Sequence, residues 1–234
     1  VERRLILKEQ ERQICVYGIN AYYTELNTAK MLHDLNISCK IDEKKISRRM
    51  DKLGKHSGYE LDELQKEAVV TAAGHGLLVL TGGPGTGKTT TLVEAIYETL
   101  HREPQVLVCA QSNTAVDWIS EKLVDRGVPV LRIGNPTRVN DKMLSFTYER
   151  RFESHPAYPE LWGIRKSIRE TGSRMRKGSY SEREGMRSRM SRLRDRATEL
   201  EIQINTDLFD SARVIASTLV SSNHRLLNGR RFPT

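Results

Sequence analysis

The chain has 234 residues, 38% of them hydrophobic and 29% charged, with a formal net charge of +8. This balance excludes a disordered polymer and a membrane-embedded bundle, and the length allows one large domain or two small ones with a substantial core. No apolar run approaches the roughly 20 residues that span a bilayer, and Val1-Glu2-Arg3-Arg4 lacks a signal-peptide core, so a cytoplasmic protein is expected.

The first sixty residues hold little Gly or Pro, and Leu26, Ala29, Leu32 and Leu35 recur at helical spacing. They predict a helical lead-in over 1–58, with Gly54, Ser57 and Gly58 marking its boundary. A helix follows with Leu61, Leu64 and Ala68 on one face, ending near Gly74-His75-Gly76. Leu77-Leu78-Val79-Leu80 reads as a buried parallel strand running straight into glycines. Residues 90–100 are then expected as helix, 105–110 as strand, 114–125 as helix and 128–133 as strand. The alternation predicts an α/β fold, a doubly wound parallel sheet with helices on both faces and right-handed crossovers.

That alternation stops over 151–206. Pro156 and Pro159 precede a polar, arginine-rich helical run interrupted by Gly172, Gly178 and Gly185, which predicts an inserted helical hairpin without a core of its own. Between Gly163 and Arg196 there are 12 basic and 4 acidic residues, a surplus equal to that of the whole chain. The remainder is therefore close to neutral. Sheet signals return at Arg213-Val214-Ile215-Ala216-Ser217. The three cysteines, Cys15, Cys39 and Cys109, are far apart and form no C-x-x-C, so they are expected as reduced thiols rather than zinc ligands.

The densest chemical signal is Gly82-Gly83-Pro84-Gly85-Thr86-Gly87-Lys88-Thr89. It satisfies the P-loop spacing between a predicted strand and a predicted helix. Glycines let successive backbone N–H groups turn toward phosphates, and the following helix contributes the positive end of its dipole. Lys88 is expected on the β- and γ-phosphates of ATP, and the Thr89 hydroxyl on Mg²⁺. The alternative is a glycine-rich turn without a ligand. Gln65, seventeen residues before Gly82, has an amide that can pair with the N6 donor and N7 acceptor of adenine, or can be a surface glutamine.

Leu61-Asp62-Glu63-Leu64-Gln65, the loop from Thr81 through Thr90, and Ala110-Gln111-Ser112-Asn113-Thr114-Ala115-Val116-Asp117 together resemble superfamily 1 helicases. The likeness is greatest to the branch holding RecD-like DNA helicases and the RNA helicases of nonsense-mediated decay, and it covers 61–234. The resemblance implies a RecA-like P-loop fold whose parts are a lead-in (1–58), a first RecA-like stretch (59–150), the basic insertion (151–206) and a continuation (207–234). It implies adenine recognition by Gln65 and nucleotide binding by Gly82, Gly83, Pro84, Gly85, Thr86, Gly87, Lys88, Thr89 and Thr90. Lys88 and Thr89 would be catalytic. Ser112, Asn113 and Thr114 are implied as contacts to a single strand, DNA favoured over RNA, with Ser217 and Thr218 as a further strand-end contact. The implied motion is 5′ to 3′ translocation driven by ATP hydrolysis between two RecA-like domains.

Such helicases carry an apolar strand ending in Asp-Glu that serves Mg²⁺ and the attacking water, and this sequence has no such segment. The family pattern places it beyond Thr234, as it does the second RecA-like domain. The expectation is therefore a part of a longer helicase that binds nucleotide but does not turn it over at a helicase's rate alone. A P-loop ATPase or kinase acting elsewhere, or a non-catalytic nucleotide- or nucleic-acid-binding module, stays open from the residues.

Overall fold

The structure, a computed structural model, describes residues 5–10, 13–57, 60–83, 85–177, 180–227, 230 and 232. Gly58, Pro84 and Gly178, singled out above, lie outside the described residues. The chain divides into two compact units, Val1–Thr99 and Leu100–Thr234.

The first unit opens with β1 (Leu5–Gln10) and β2 (Gln13–Gly18), an antiparallel pair in which Leu7 lies opposite Val16. This corrects the expectation of an all-helical lead-in. Ile14, Val16 and Tyr17 are residues that suit a pleated surface, and they outweigh the scarcity of Gly and Pro on which the helical reading leaned. Helix α1 (Ile19–Leu35) follows, then α2 (Glu43–Ser57), α3 (Glu63–Gly74) and α4 (Lys88–Thr99). Ile46 and Met50 of α2 share a buried cluster with Val69 and Ala73 of α3 and Ala95 of α4. Helices on either side of the expected boundary near residue 58 therefore share buried contacts. Arg49 on α2 also grips Glu98 of α4 through both carboxylate oxygens, and the Glu98 side chain is fully buried. That carboxylate raises the Arg49 pKa above its ordinary value.

Leu77-Leu78-Val79-Leu80 joins no ladder among the described residues, and Val79 is 77% exposed, which corrects the expected strand before the loop. The backbone just ahead of it is committed elsewhere. Gly76 N–H donates to Ile37 O at 2.8 Å, and Cys39 N–H donates to Gly74 O at 2.8 Å.

The second unit holds β3 (Val106–Ala110), α5 (Asn113–Asp125), β4 (Val130–Ile133), α6 (Tyr148–Glu153), α7 (Tyr158–Lys177), α8 (Tyr180–Ser211) and β5 (Val214–Thr218). The strands are parallel in the order β3-β5-β4, with Val106 and Val130 both level with Val214. The central strand β5 is buried along its whole length, as its unbroken run of small and apolar residues requires. Alternation along β4 separates the faces. Leu131 and Ile133 point toward the base of the α7–α8 hairpin, while Arg132 between them reaches α5.

The base of that hairpin packs into the core of the sheet. Leu161, Leu200, Ile204 and Phe209 are almost wholly buried in one cluster with Leu131, Ile133 and Ile215 of the sheet. Each such side chain contributes roughly 1.5–3 kcal/mol by burial, enough to dock the hairpin's base firmly. Two of the glycines do not break the helices. Gly172 lies inside α7 and Gly185 inside α8. Helix α5 ends on Gly127 at φ 75, with Val128 N–H donating to Leu123 O and Gly127 N–H to Val124 O, a left-handed cap that turns the chain toward β4.

Candidate functional site

The loop ahead of α4 is shaped by residues that reach φ > 0 without a Cβ clash. Gly85 sits at φ 81 and Gly87 at φ 72. Thr86 Oγ1 donates to Gly83 O at 2.9 Å and closes the turn. Lys88, the first residue of α4, folds back over the loop: its ammonium donates to Gly82 O, to Gly83 O at 2.6 Å and to Thr86 Oγ1 at 3.4 Å. Its three N–H donors thus converge on the concave side of the loop. Phosphate oxygens are stronger, charged acceptors than these carbonyls, so the same ammonium can exchange them for a nucleotide's phosphates.

The threonine hydroxyls of α4 differ in use. Thr91 Oγ1 donates to Gly87 O at 3.2 Å and is buried, and Thr99 Oγ1 donates to Ala95 O at 2.7 Å. Thr89 and Thr90 are half-buried and make no side-chain hydrogen bond among the described residues. A hydroxyl at position 89, beside the lysine and not committed to the helix backbone, fits a Mg²⁺ ion that shares its other ligands with phosphates and water. Among the described residues no cluster of His, Cys, Asp and Glu could hold a metal by itself, and none of the three cysteines forms a disulfide.

Gln65 is tied to this loop. Asp62 caps α3, its carboxylate accepting from Gln65 N–H at 2.8 Å, while Gln65 Oε1 accepts from Asp62 N–H at 3.1 Å. This reciprocal pair is a capping box. The other end of the same amide, Nε2, donates to Thr86 O at 3.2 Å. One side chain therefore starts a helix and fixes its distance to the phosphate loop. An amide has two N–H groups and two lone pairs, so these roles are chemically compatible with pairing to a base edge. The signal for the cap was in the sequence: Asp62 three residues before a glutamine.

Ser112, Asn113 and Thr114 open α5 in the second unit, at the carboxyl edge of the parallel sheet where ligands bind in open α/β folds. Ser112 caps the helix, its Oγ accepting from Ala115 N–H at 3.2 Å. Asn113 faces inward, with Oδ1 accepting from Arg132 Nη2 at 2.8 Å. Arg132 is fully buried on β4; its Nε donates to Asp117 Oδ1 at 2.8 Å and its Nη1 donates to Ile133 O. The second oxygen of Asp117 accepts from Asn140 N–H at 3.0 Å. Asn113 is thus a structural anchor, and Ser112 and Thr114 are the exposed members of the stretch. Arg132 was not foreseen. Its signal was a lone charge within an apolar strand run, which demands a buried partner.

The expected contact at Ser217 is corrected. Ser217 is fully buried within β5, its hydroxyl 3.5 Å from Cys109 Sγ on the neighbouring strand, out of reach of a ligand. Thr218 is also buried, and its Oγ1 accepts from Ser221 N–H at 3.1 Å and donates to Ser221 Oγ at 2.9 Å, shaping the turn after the strand. The sequence pattern of hydroxyls after an apolar run did not reveal that the strand continues through both of them.

The basic insertion divides into a stitched base and a charged remainder. Arg165 pairs with Glu201 at 2.7 Å, and Arg196 with Glu160 at 2.9 Å and Glu199 at 3.3 Å. Among the described residues Arg169, Arg174, Arg187, Arg189, Arg192 and Arg194 make no ion pair. Arg187 and Arg194 line an open groove of about 730 Å³ between α7 and α8, with Met175, Met190 and Asp195.

A family model described as an AAA domain matches residues 60–234. The chain is similar to DNA polymerase alpha-associated DNA helicase A of Schizosaccharomyces pombe, 30% identical over 231 residues, 98% of this chain and 33% of that protein. It is similar to DNA-binding protein SMUBP-2 of Rattus norvegicus, 31% identical over 160 residues, 68% of this chain and 16% of that protein. A Regulator of nonsense transcripts 1 homolog of Neurospora crassa is 28% identical over 176 residues, 74% of this chain and 15% of its own length. The chain spans a third or less of the length of these relatives.

Proposed function

This chain belongs to the superfamily 1 helicases, its AAA domain covering residues 60–234, and we propose that it is the ATP-binding motor part of an ATP-dependent helicase or translocase on single-stranded nucleic acid. The observation that carries the proposal is the single amide of Gln65, which joins the α3 cap to Thr86 of the phosphate loop. A loop built only to link two elements needs no such tie. A loop that must hold phosphates at a fixed distance from a base does.

In this reading the backbone N–H groups from Gly85 to Lys88 cradle the phosphates. The Lys88 ammonium leaves the carbonyls of Gly82 and Gly83 to neutralise charge on the β- and γ-phosphates. Thr89 holds Mg²⁺, which supplies Lewis-acid stabilisation of the transferring phosphoryl group. Ser112 and Thr114 bond backbone phosphates without reading sequence, and the arginines of the hairpin add salt-dependent affinity. DNA is favoured over RNA, since two of the relatives above carry DNA in their names.

The test is ATP turnover by the full-length protein with and without single-stranded DNA and RNA, beside a Lys88→Ala control. Turnover that rises many-fold with a strand and vanishes in the control supports the proposal. Turnover indifferent to both strands refutes it.

A further inference from the structure

Helix α5 buries Val116, Asp117, Ile119, Ser120 and Leu123 and turns its other side to solvent. Thr114, Trp118 and Lys122 follow one another at four-residue steps, so they share that side at intervals of about 6 Å along the axis. All three are exposed, and Trp118 retains 56% of its surface although indoles are ordinarily among the more buried side chains. The chain's other tryptophan makes a useful contrast. Trp162 is 51% exposed, but Lys166 Nζ lies 5.7 Å from its ring. Among the described residues no ring or cation covers Trp118, and Lys122 makes no ion pair. Asp125, exposed one turn further on, limits the strip because its charge repels phosphate.

We propose that Thr114, Trp118 and Lys122 form a stacking platform for a single strand, with one base laid on the Trp118 indole and the flanking phosphates held by the Thr114 hydroxyl and the Lys122 ammonium. The proposal rests on the nucleic-acid reading above and adds a base contact to it. A hydroxyl, an aromatic face and an uncompensated cation in sequence match the alternating chemistry of a single strand, whose bases offer a π-face whatever their identity. The Arg132 network makes this platform rigid, because it fixes the start of α5 to β4 from behind through Asn113 and Asp117. The contact is sequence-tolerant.

The experiment compares binding of an oligothymidine and an abasic strand of equal length to the full-length protein. Trp118→Ala is expected to weaken oligothymidine binding about tenfold while leaving the abasic strand and the salt dependence unchanged. Trp118→Phe should recover most of the loss. Lys122→Gln should weaken both strands alike and lower the salt slope by about 1. Oligothymidine binding by Trp118→Ala equal to wild type overturns the proposal. So does an equal loss of both strands, or a lowered Tm with strand affinity intact, which would make the indole a protein contact. If wild type binds neither strand, the nucleic-acid reading itself fails and takes this one with it.

Discussion

In the first unit the loop ahead of α4 is held by bonds between near neighbours, Thr86 to Gly83 and Lys88 to Gly82 and Gly83, together with a tie from Gln65 on α3. In the second unit the start of α5 is held from a distance, by a buried arginine nineteen residues along the chain that touches Asn113, Asp117 and the backbone of β4 at once. The first arrangement leaves its cation only half-buried and free to rearrange around a ligand. The second encloses its cation and cannot move without breaking an ion pair. Under the proposed function, a loop that exchanges nucleotide and a surface that keeps its place along a strand call for these two constructions.

The contrast is broken most severely at Arg132. Arg132→Met leaves the Asp117 carboxylate buried without its partner and should destabilise the second unit by about 3–5 kcal/mol, read as a fall in denaturation midpoint. Arg132→Met with Asp117→Leu should restore stability yet still bind strands more weakly, since nothing then anchors Asn113. Lys88→Ala is next. It should lower ATP turnover of the full-length protein by about a hundredfold or more while leaving Tm and nucleotide-free strand binding in place.

Gln65 separates the two roles of one amide. Gln65→Glu keeps an oxygen for the capping box but loses the donor to Thr86, so nucleotide affinity should fall about tenfold with little change in Tm. Gln65→Ala should also lose the cap, costing about 1 kcal/mol. The smallest effect is expected at Gly85→Ala, where an L-residue at φ 81 costs about 1 kcal/mol. A thermal melt with unchanged Tm would show that the loop relaxes out of that conformation.

What could be read from the sequence follows the same divide. The loop ahead of α4 stands out in the sequence because its glycines, lysine and threonine are contiguous and the bonds that shape it are local. The helices α3, α4 and α5 and the strands β3, β4 and β5 were legible from periodicity, to within a residue or two at most ends. Arg132 was not, because its role depends on which strand neighbours which helix, and no spacing rule encodes that. Ser217 misled for a related reason. A hydroxyl after Val214-Ile215-Ala216 looks like a strand end until β3 is found level with it, placing Cys109 opposite. The β1–β2 pair is not legible in that way, because low Gly and Pro content is weak evidence against strands. The unpaired Leu77–Leu80 run shows the converse, since an apolar tetrapeptide becomes a strand only where a partner edge meets it.

In the proposed function the tethered loop and the anchored edge of the sheet serve one ATP-driven motor. The most direct measurement is the ATP turnover of the full-length protein titrated with single-stranded DNA, run in parallel on Lys88→Ala and on the Arg132→Met, Asp117→Leu pair. Strong stimulation is expected in wild type, none in the lysine variant, and in the pair a normal basal rate that needs far more DNA to rise. Equal stimulation curves for wild type and the pair would contradict that function.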